Sequence, residues 1–365
     1  MKANPIELEI FKNRFSSVAE QMGKTLMRTA YSSNIKERRD FSCAIFDRTG
    51  GIVAQASHIP VHLGSMPMSV MAAISSIDFD EDDMVILNDP FKGGTHLPDI
   101  TLVAPVYYED NGPVLYVANR AHHADVGGIS PGSMPVSESI LQEGVIIEPQ
   151  KYIKKGRINT RVHEFILSSV RTPQERDGDL AAQVMANITG IVGLRGIMKK
   201  NSLAGVEFLC RELIEYSRRI TEKTISGIPD GQYVYEDYLD PAVPGDDKGA
   251  IIHVKLEVAG NRMKADFSRS APQVSGCLNA VYAITLSCVL YVVRSLSDVD
   301  IPANAGCLVP VEVVTKKGTI VDAVFPAAVA GGNVETSQRI VDVLLGALSL
   351  AIPKKNSCCI PGYDE

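Results

Sequence analysis

The stretch between residues 88 and 128, NDPFKGGTHLPDITLVAPVYYEDNGPVLYVANRAHHADVGG, leaves this chain few ways to fold. Apolar runs at 100–107 and 114–118 read as strands, and Asp110-Asn111-Gly112 between them is a hairpin turn sequence. Asn88-Asp89-Pro90 and Gly93-Gly94 mark turns ahead of the first run. Such a hairpin returns the chain to the sheet end at which it entered, so His122-His123-Ala124-Asp125 comes to lie beside His96-Leu97-Pro98-Asp99. Two His-x-x-Asp clusters meet there.

Neutral imidazoles and ionised carboxylates are the usual ligands of borderline divalent ions, and two histidines with carboxylates suit Mn, Zn or Fe(II) better than Ca or Mg. A single loop histidine reads more readily as a hydrogen-bonding residue. Here five of seven histidines (His58, His62, His96, His122, His123) fall between positions 58 and 123, and that clustering argues for a shared site.

Several motifs are specific enough to carry a resemblance: ERRDFSCAIFD with HIPVHLGSM, DPFKGGTHLPDI, ANRAHHADVGGISPGSMP and GNVETSQRIVDVLLGAL. Together they resemble the hydantoinase B / 5-oxoprolinase family, whose relatives include N-methylhydantoinases, lactam hydrolases and the alpha subunits of acetone and acetophenone carboxylases. The resemblance implies a divalent metal held by Asp40, His96, Asp99 and His122, with His123, Asp125 and Asp89 as supporting or alternate ligands. It also implies ATP-coupled opening of a cyclic amide such as hydantoin, 5-oxoproline or a related lactam. ATP would be bound by a partner, a hydantoinase A-type actin-like ATPase subunit, in a hetero-oligomer; no G-x-x-x-x-G-K-[ST] loop is present in this chain. The partner would phosphorylate the substrate, and water would attack the activated carbon with His123 or Asp125 as general base. The alternatives are an alpha subunit of an acetone- or acetophenone-type carboxylase, and a non-catalytic scaffold subunit.

Charge and composition bound the remaining classes. A net charge of −7 argues against nucleic-acid binding. The most apolar run, 280–293, is interrupted by Thr285 and Ser287 and is too short to span a bilayer, and MKANPIELEIFKNRF is charged and amphipathic, unlike a leader. These features predict a cytoplasmic enzyme without a membrane partner. Seven cysteines without framework spacing read as reduced, with Cys358-Cys359 in a loose tail.

Along the chain, Asn4-Pro5-Ile6-Glu7 starts an amphipathic helix whose apolar positions Phe11, Phe15, Val18, Met22, Leu26 and Ala30 recur every three or four residues. Strands follow at 41–46 and 52–55, with Asp40 at the mouth of the first. SHIPVHLGSMPMS reads as a Pro-containing loop with His58 and His62 at a pocket edge. Gly128-Ile129-Ser130-Pro131-Gly132 matches the nucleophile pattern of serine hydrolases, but Pro131 has no N–H to offer an oxyanion, which leaves Ser130 in a turn. Residues 142–161 read as charged loop. Helices are expected up to about residue 200 and over 203–220, with Asp179 and Gln183 as a polar pair facing either substrate or solvent. Strands at 231–239, 251–258 and 262–267 place His253 in a sheet; a helix at 278–296, a strand at 309–314 and a glycine-rich lead-in to a helix at 340–351 complete the pattern. The resemblance puts that lead-in beside the active site. The fold class expected is α+β, with mixed or antiparallel sheets and packed helices in one chain: a first part, 1–166, carrying the metal motifs, and a second, 167–365. The closing KKNSCCIPGYDE does not resemble the family, which predicts a truncated or divergent C-terminus.

Overall fold

The computed structural model describes residues 4–57, 59–109, 111–241 and 249–353. His58, Asp110 of the hairpin turn, Cys358-Cys359 and the closing stretch 354–365 therefore lie outside the described residues.

Helix α1 (Pro5–Thr29) starts where Asn4 accepts the Ile6 N–H at 3.0 Å, and its apolar stripe, Phe11 to Leu26, is buried. A short helix α2 (Ser33–Lys36) leads to the hairpin of β1 (Phe41–Asp47) and β2 (Ile52–Ser57). Asp47 closes that turn by accepting N–H groups of Thr49 and Gly51 at 2.8 and 2.9 Å. Next comes α3 (His62–Ser76), where the sequence had suggested a loop. Pro67 sits inside it, and tertiary packing overrides the local cost: Met66, Val70 and Ala73 are buried on one face.

Strands β3 (Met84–Leu87), β4 (Asp99–Tyr107), β5 (Pro113–His122), β6 (Gln150–Lys154) and β7 (Arg157–Ile158) complete a seven-stranded antiparallel sheet of order β2-β1-β5-β4-β3-β6-β7. The expected β4–β5 hairpin is present, with Asp99 opposite His122. Strand β6 arises within text that reads as a charged loop, because it is only five residues long and is held by pairing with β3 and β7 rather than by its own pattern.

Period-two alternation sorts the side chains of this sheet into two faces. Phe41, Cys43, Ile45, Leu102, Val117 and Ala121 join the main core, while Ala44, Phe46, Val103, Tyr116 and Ala118 pack with Met66 and Val70 of α3. The main-core face is covered by α1 and, after α4 (Thr160–Ser168), by α5 (Pro173–Met198), so a helix from beyond residue 166 packs on the sheet formed before it. Among the described residues, α5 alone is long and apolar enough to cross a membrane. It carries Arg176, Asp179, Gln183 and Asn187 buried against the protein, as an interior helix does.

Helix α6 (Leu203–Ile225) extends five residues past its expected end at 220. A second sheet of order β11-β10-β9-β8 is built from β8 (Gly231–Leu239), β9 (Ala250–Ala259), β10 (Arg262–Asp266) and, beyond α7 (Tyr282–Ser295), β11 (Val311–Val314). His253 lies buried in β9, as expected. Helix α8 (Glu335–Ala351) packs on β8 and β9 so closely that a Cβ on Gly346 would lie 2.6 Å from the Tyr235 ring. Helix α7 bridges the halves: Gly64 of α3 donates to Ser287 Oγ at 3.0 Å, and a Cβ there would meet the Ser287 nitrogen at 2.8 Å. The result is an α+β fold whose second half brings the turn at Gly331–Asn333 against the end of the first sheet.

Candidate metal centre

Strands β1, β5 and β4 are neighbours, and their ends deliver the charged groups. Asp40 immediately precedes β1, His122 ends β5, and Asp99 begins β4 in register with His122. The His122 N–H donates to the Asp40 carbonyl at 3.0 Å, which ties the two strand ends together. His96 comes from the turn just before β4, and α3 lays its first residue, His62, over the group.

Asp99 is the hub. Its Oδ1 lies 3.0 Å from His122 Nδ1 and 3.3 Å from His96 Nε2, and those two nitrogens are 3.2 Å apart. Its Oδ2 accepts from the Thr95 hydroxyl and lies 3.4 Å from His62 Nε2. Asp40 Oδ2 stands 4.0 Å from His122 Nδ1. Two ligands about 2.1 Å from one ion are separated by about 3.0 Å at right angles, about 3.4 Å in a tetrahedron and about 4.2 Å across the ion. The sides of the triangle of His96, Asp99 and His122, 3.0 to 3.3 Å, span the range between the first two spacings, and Asp40 approaches the last. These three ligand atoms lie within 4.8 Å of one another and are buried. His96 Nδ1, on the far side of its ring, is buried and without a hydrogen-bond partner among the described residues. The donor set therefore fits a borderline divalent ion.

The electrostatics agree with that arrangement. Burial would raise the Asp99 carboxyl, but the charge of His96 and the hydrogen bonds from His122, His62 and His96 hold it well below the usual range, so it is ionised. Burial opposes charge on His122, yet its bond to Asp99 and the charges of Asp99 and Asp40 raise it. Burial depresses His62 and, together with Asp99, lifts Asp40. Arg120, fully buried beneath the site, donates to Thr101, Ser65 and Ser69 hydroxyls at 2.9, 2.5 and 2.7 Å; burial lowers it to about 10. It supplies a fixed positive charge to offset the two carboxylates.

Not every expected residue converges here. His123 follows His122 and so points to the opposite face, where its Nε2 lies 2.9 Å from Gln183 Oε1 of α5; burial lowers it to about 4. Asp125 is engaged by Arg171, whose backbone and guanidinium N–H groups donate to it at 2.5 and 2.9 Å. Burial opposes its ionisation, but those bonds lower it. Both are engaged by these partners, and neither supplies one of the three ligand atoms of the His96, Asp99 and His122 cluster. Asp89 accepts the Phe91 N–H at 2.9 Å in its own turn. The pair Asp179 and Gln183 faces neither substrate nor solvent: Asp179 accepts the Tyr31 and Ser32 N–H groups at 2.8 and 3.0 Å, and Gln183 donates to the Ile100 carbonyl at 2.9 Å. Ser130 lies in a bend, as expected.

Four residues near the cluster were not assigned from sequence. His62 links Asp99 to Ser42, its Nδ1 lying 3.0 Å from the hydroxyl. Asn333, at the end of the glycine-rich lead-in, puts Nδ2 3.2 Å from His96 Nε2. Glu143 accepts the Val329 and Ala330 N–H groups at 2.8 and 3.0 Å and so anchors the segment leading to that turn. Arg120 completes the set. The spacing of Met66, Val70 and Ala73 carried the signal that could have placed His62 at a helix start.

A family model described as hydantoinase B/oxoprolinase matches residues 4–360. The chain belongs to the hydantoinase B/oxoprolinase family. Consistent with that family, it is 40% identical over 377 residues to 5-oxoprolinase 1 of Arabidopsis thaliana, covering 94% of this chain and 29% of the plant protein. The crystal structure of the ATP-dependent caprolactamase from Pseudomonas jessenii superposes with a TM-score of 0.90 at 26% identity, over 97% of this chain and 61% of that one. A nucleotide-free acetone carboxylase shares the fold at 17% identity, with a TM-score of 0.86, over 96% of this chain and 48% of that one. This hydantoinase B-type chain thus spans less than two thirds of the length of these relatives.

Proposed function

We propose that this chain is the metal-dependent subunit of an ATP-dependent cyclic amidohydrolase, opening a hydantoin, 5-oxoproline or related lactam ring. The observation that carries the reading is the buried triangle of His96, Asp99 and His122, with separations of 3.0 to 3.3 Å, in a member of this family. Asp40, His96, Asp99 and His122 would hold a divalent ion, Mn, Zn or Fe(II). When bound, that ion supplies Lewis-acid stabilisation of charge developing on the substrate and eases deprotonation of water.

The chain's own residues define the rest. Asp99 stays ionised because three imidazoles and Thr95 surround it. His62 and Arg120 sit outside the ligand triangle and fix its geometry, so the donors need no reorganisation when charge develops. Asp40, with a side chain 29% exposed against 1% for Asp99, faces the side open to water and substrate. An amide carbonyl is a weak electrophile, and activation would come from an actin-like A-type ATPase subunit that phosphorylates the substrate oxygen in a hetero-oligomer. The ATP-dependence named for the caprolactamase supports the ATP-coupled part of this reading.

The test is co-expression with an A-type subunit followed by ATP-dependent turnover of hydantoin, 5-oxoproline and caprolactam, with acetone plus bicarbonate alongside. Ring opening that requires ATP and is abolished by Asp99→Asn is the expected result. Consumption of acetone and bicarbonate alone would assign the chain to the carboxylases instead.

A further inference from the structure

Metal ligation by the first sheet leaves one contact unexplained. Asn333 Nδ2 lies 3.2 Å from His96 Nε2, the same nitrogen that faces Asp99 Oδ1 at 3.3 Å and His122 Nδ1 at 3.2 Å. Its other amide atom, Oδ1, is buried and has no hydrogen-bond partner among the described residues. The amide N–H donates to His96 Nε2 only where that nitrogen presents a lone pair rather than the proton it can give Asp99. An ion held by His96 takes that lone pair, and the N–H can no longer use it. A half-turn about the Cβ–Cγ bond exchanges the two amide atoms and brings the unpaired oxygen to the side of the cluster. An atom 3.2 Å from a ligating nitrogen stands at the spacing of two ligands of one ion.

We infer that the amide oxygen of Asn333 is a further metal ligand, a neutral oxygen donor from the second half of the chain; this rests on the metal reading of Asp40, His96, Asp99 and His122. The backbone beneath Asn333 is built to hold it there. A Cβ on Gly332 would lie 1.9 Å from the Asn279 carbonyl oxygen, so the turn runs flush against that segment. Asn279 in turn donates to the Gly276 and Ala328 carbonyls at 2.9 and 3.0 Å. Glu143 fixes the approach through the Val329 and Ala330 N–H groups, with Ser137 Oγ donating to the same oxygen at 2.7 Å. The amide is therefore presented by a closely packed turn, and a half-turn about Cβ–Cγ is the motion that ligation requires. A ligand from this turn also makes the ion a clip between the α8 half and the first sheet.

The test is a titration of chelator-stripped wild type, Asn333→Ala and Asn333→Asp with Co²⁺ against a chromophoric chelator, recording the visible d–d band and the melting temperature of each protein. Wild type should bind one equivalent. Asn333→Ala should bind one equivalent about 10–100-fold more weakly, the loss typical of a disrupted metal environment, with a more intense d–d band because one ligand is gone. Asn333→Asp, which offers an anionic oxygen at the same position, should bind at least as tightly as wild type. Wild-type affinity and an unchanged band in a folded Asn333→Ala would overturn the assignment. Should the alanine variant fail to fold, Asn333→Asp decides: weaker binding than wild type overturns it, and equal or tighter binding supports it. A wild type that binds no ion at all would instead sink the metal reading itself, and this inference with it.

Discussion

Asp99→Asn separates the metal site from the fold. The carboxamide has the shape of the carboxylate, and its remaining oxygen can keep the position facing His122 and His96 at 3.0 and 3.3 Å. The new NH₂ would face the Thr95 hydroxyl and His62 Nε2, both of which can accept, so the packing survives with a folding cost of about 1 kcal/mol. The site, however, loses one of its two anionic ligands. A loss of about 3–4 kcal/mol in metal binding corresponds to about 300-fold in Kd. At a metal concentration of about 1,000 times the wild-type Kd, linkage stabilises the native wild type by about 4 kcal/mol; the variant at the same concentration gains about 1 kcal/mol. With an unfolding entropy of about 2.1 cal/mol/K per residue, about 0.8 kcal/mol/K for a chain of this size, metal should raise the Tm of wild type by about 5 °C and of the variant by about 1 °C. Calorimetry with and without added Mn²⁺ or Zn²⁺ measures both. A metal-induced shift as large in Asp99→Asn as in wild type would refute the reasoning.

Other substitutions test the groups assigned to structure. Asp179→Ala leaves the Tyr31 and Ser32 N–H groups without their acceptor and the buried Arg176 guanidinium with Glu175 as its remaining carboxylate partner, at a cost of about 3–5 kcal/mol; melting should fall by about 4–6 °C with metal affinity unchanged, and weakened metal binding in the folded variant would contradict the assignment. His123 titrates at about 4 when folded and at about 6.5 when unfolded, so the unfolded chain binds more protons between those values. Its contribution to stability is complete above pH ~6.5 and is lost as pH falls toward ~4, and melting curves of His123→Gln should depend less on pH across that window than those of wild type; an equal pH slope would count against a buried neutral imidazole. Gly346→Ala places a methyl 2.6 Å from the Tyr235 ring and should cost about 1–3 kcal/mol without touching metal stoichiometry, as calorimetry and metal analysis would show.

The β4–β5 hairpin and the meeting of its two His-x-x-Asp segments were legible because alternation and turn chemistry act locally. Register followed from them, and with it the pairing of Asp99 with His122. What local rules do not encode is which face of an element ends up inside. In α5, Arg176, Asp179, Gln183 and Asn187 recur at helical spacing like a solvated stripe, yet they are buried because they bond the backbone of neighbouring segments: Gln183 donates to the Ile100 carbonyl at 2.9 Å and Asn187 to that of Leu102 at 3.2 Å. The adjacent pair His122-His123 hid the same ambiguity, since strand alternation sends one imidazole to the cluster and the other to α5. His62 was obscured differently. Two prolines, Pro60 and Pro67, made a helix read as a loop, and packing between the first sheet and α7, with hydrogen bonds from Arg120 to Ser65 and Ser69, holds α3 in place. Asn333 and Glu143 act across separations of 237 and 186 residues, to His96 and Val329 respectively, which no motif spacing conveys.

Anomalous diffraction from crystals of the Mn²⁺- or Zn²⁺-loaded protein, recorded at the edge of the metal, tests the central claim most directly. A single strong peak about 2.0–2.3 Å from His96 Nε2, Asp99 Oδ1 and His122 Nδ1 is the predicted result. Fully loaded crystals with no peak between those atoms, or with the ion held elsewhere, would contradict it.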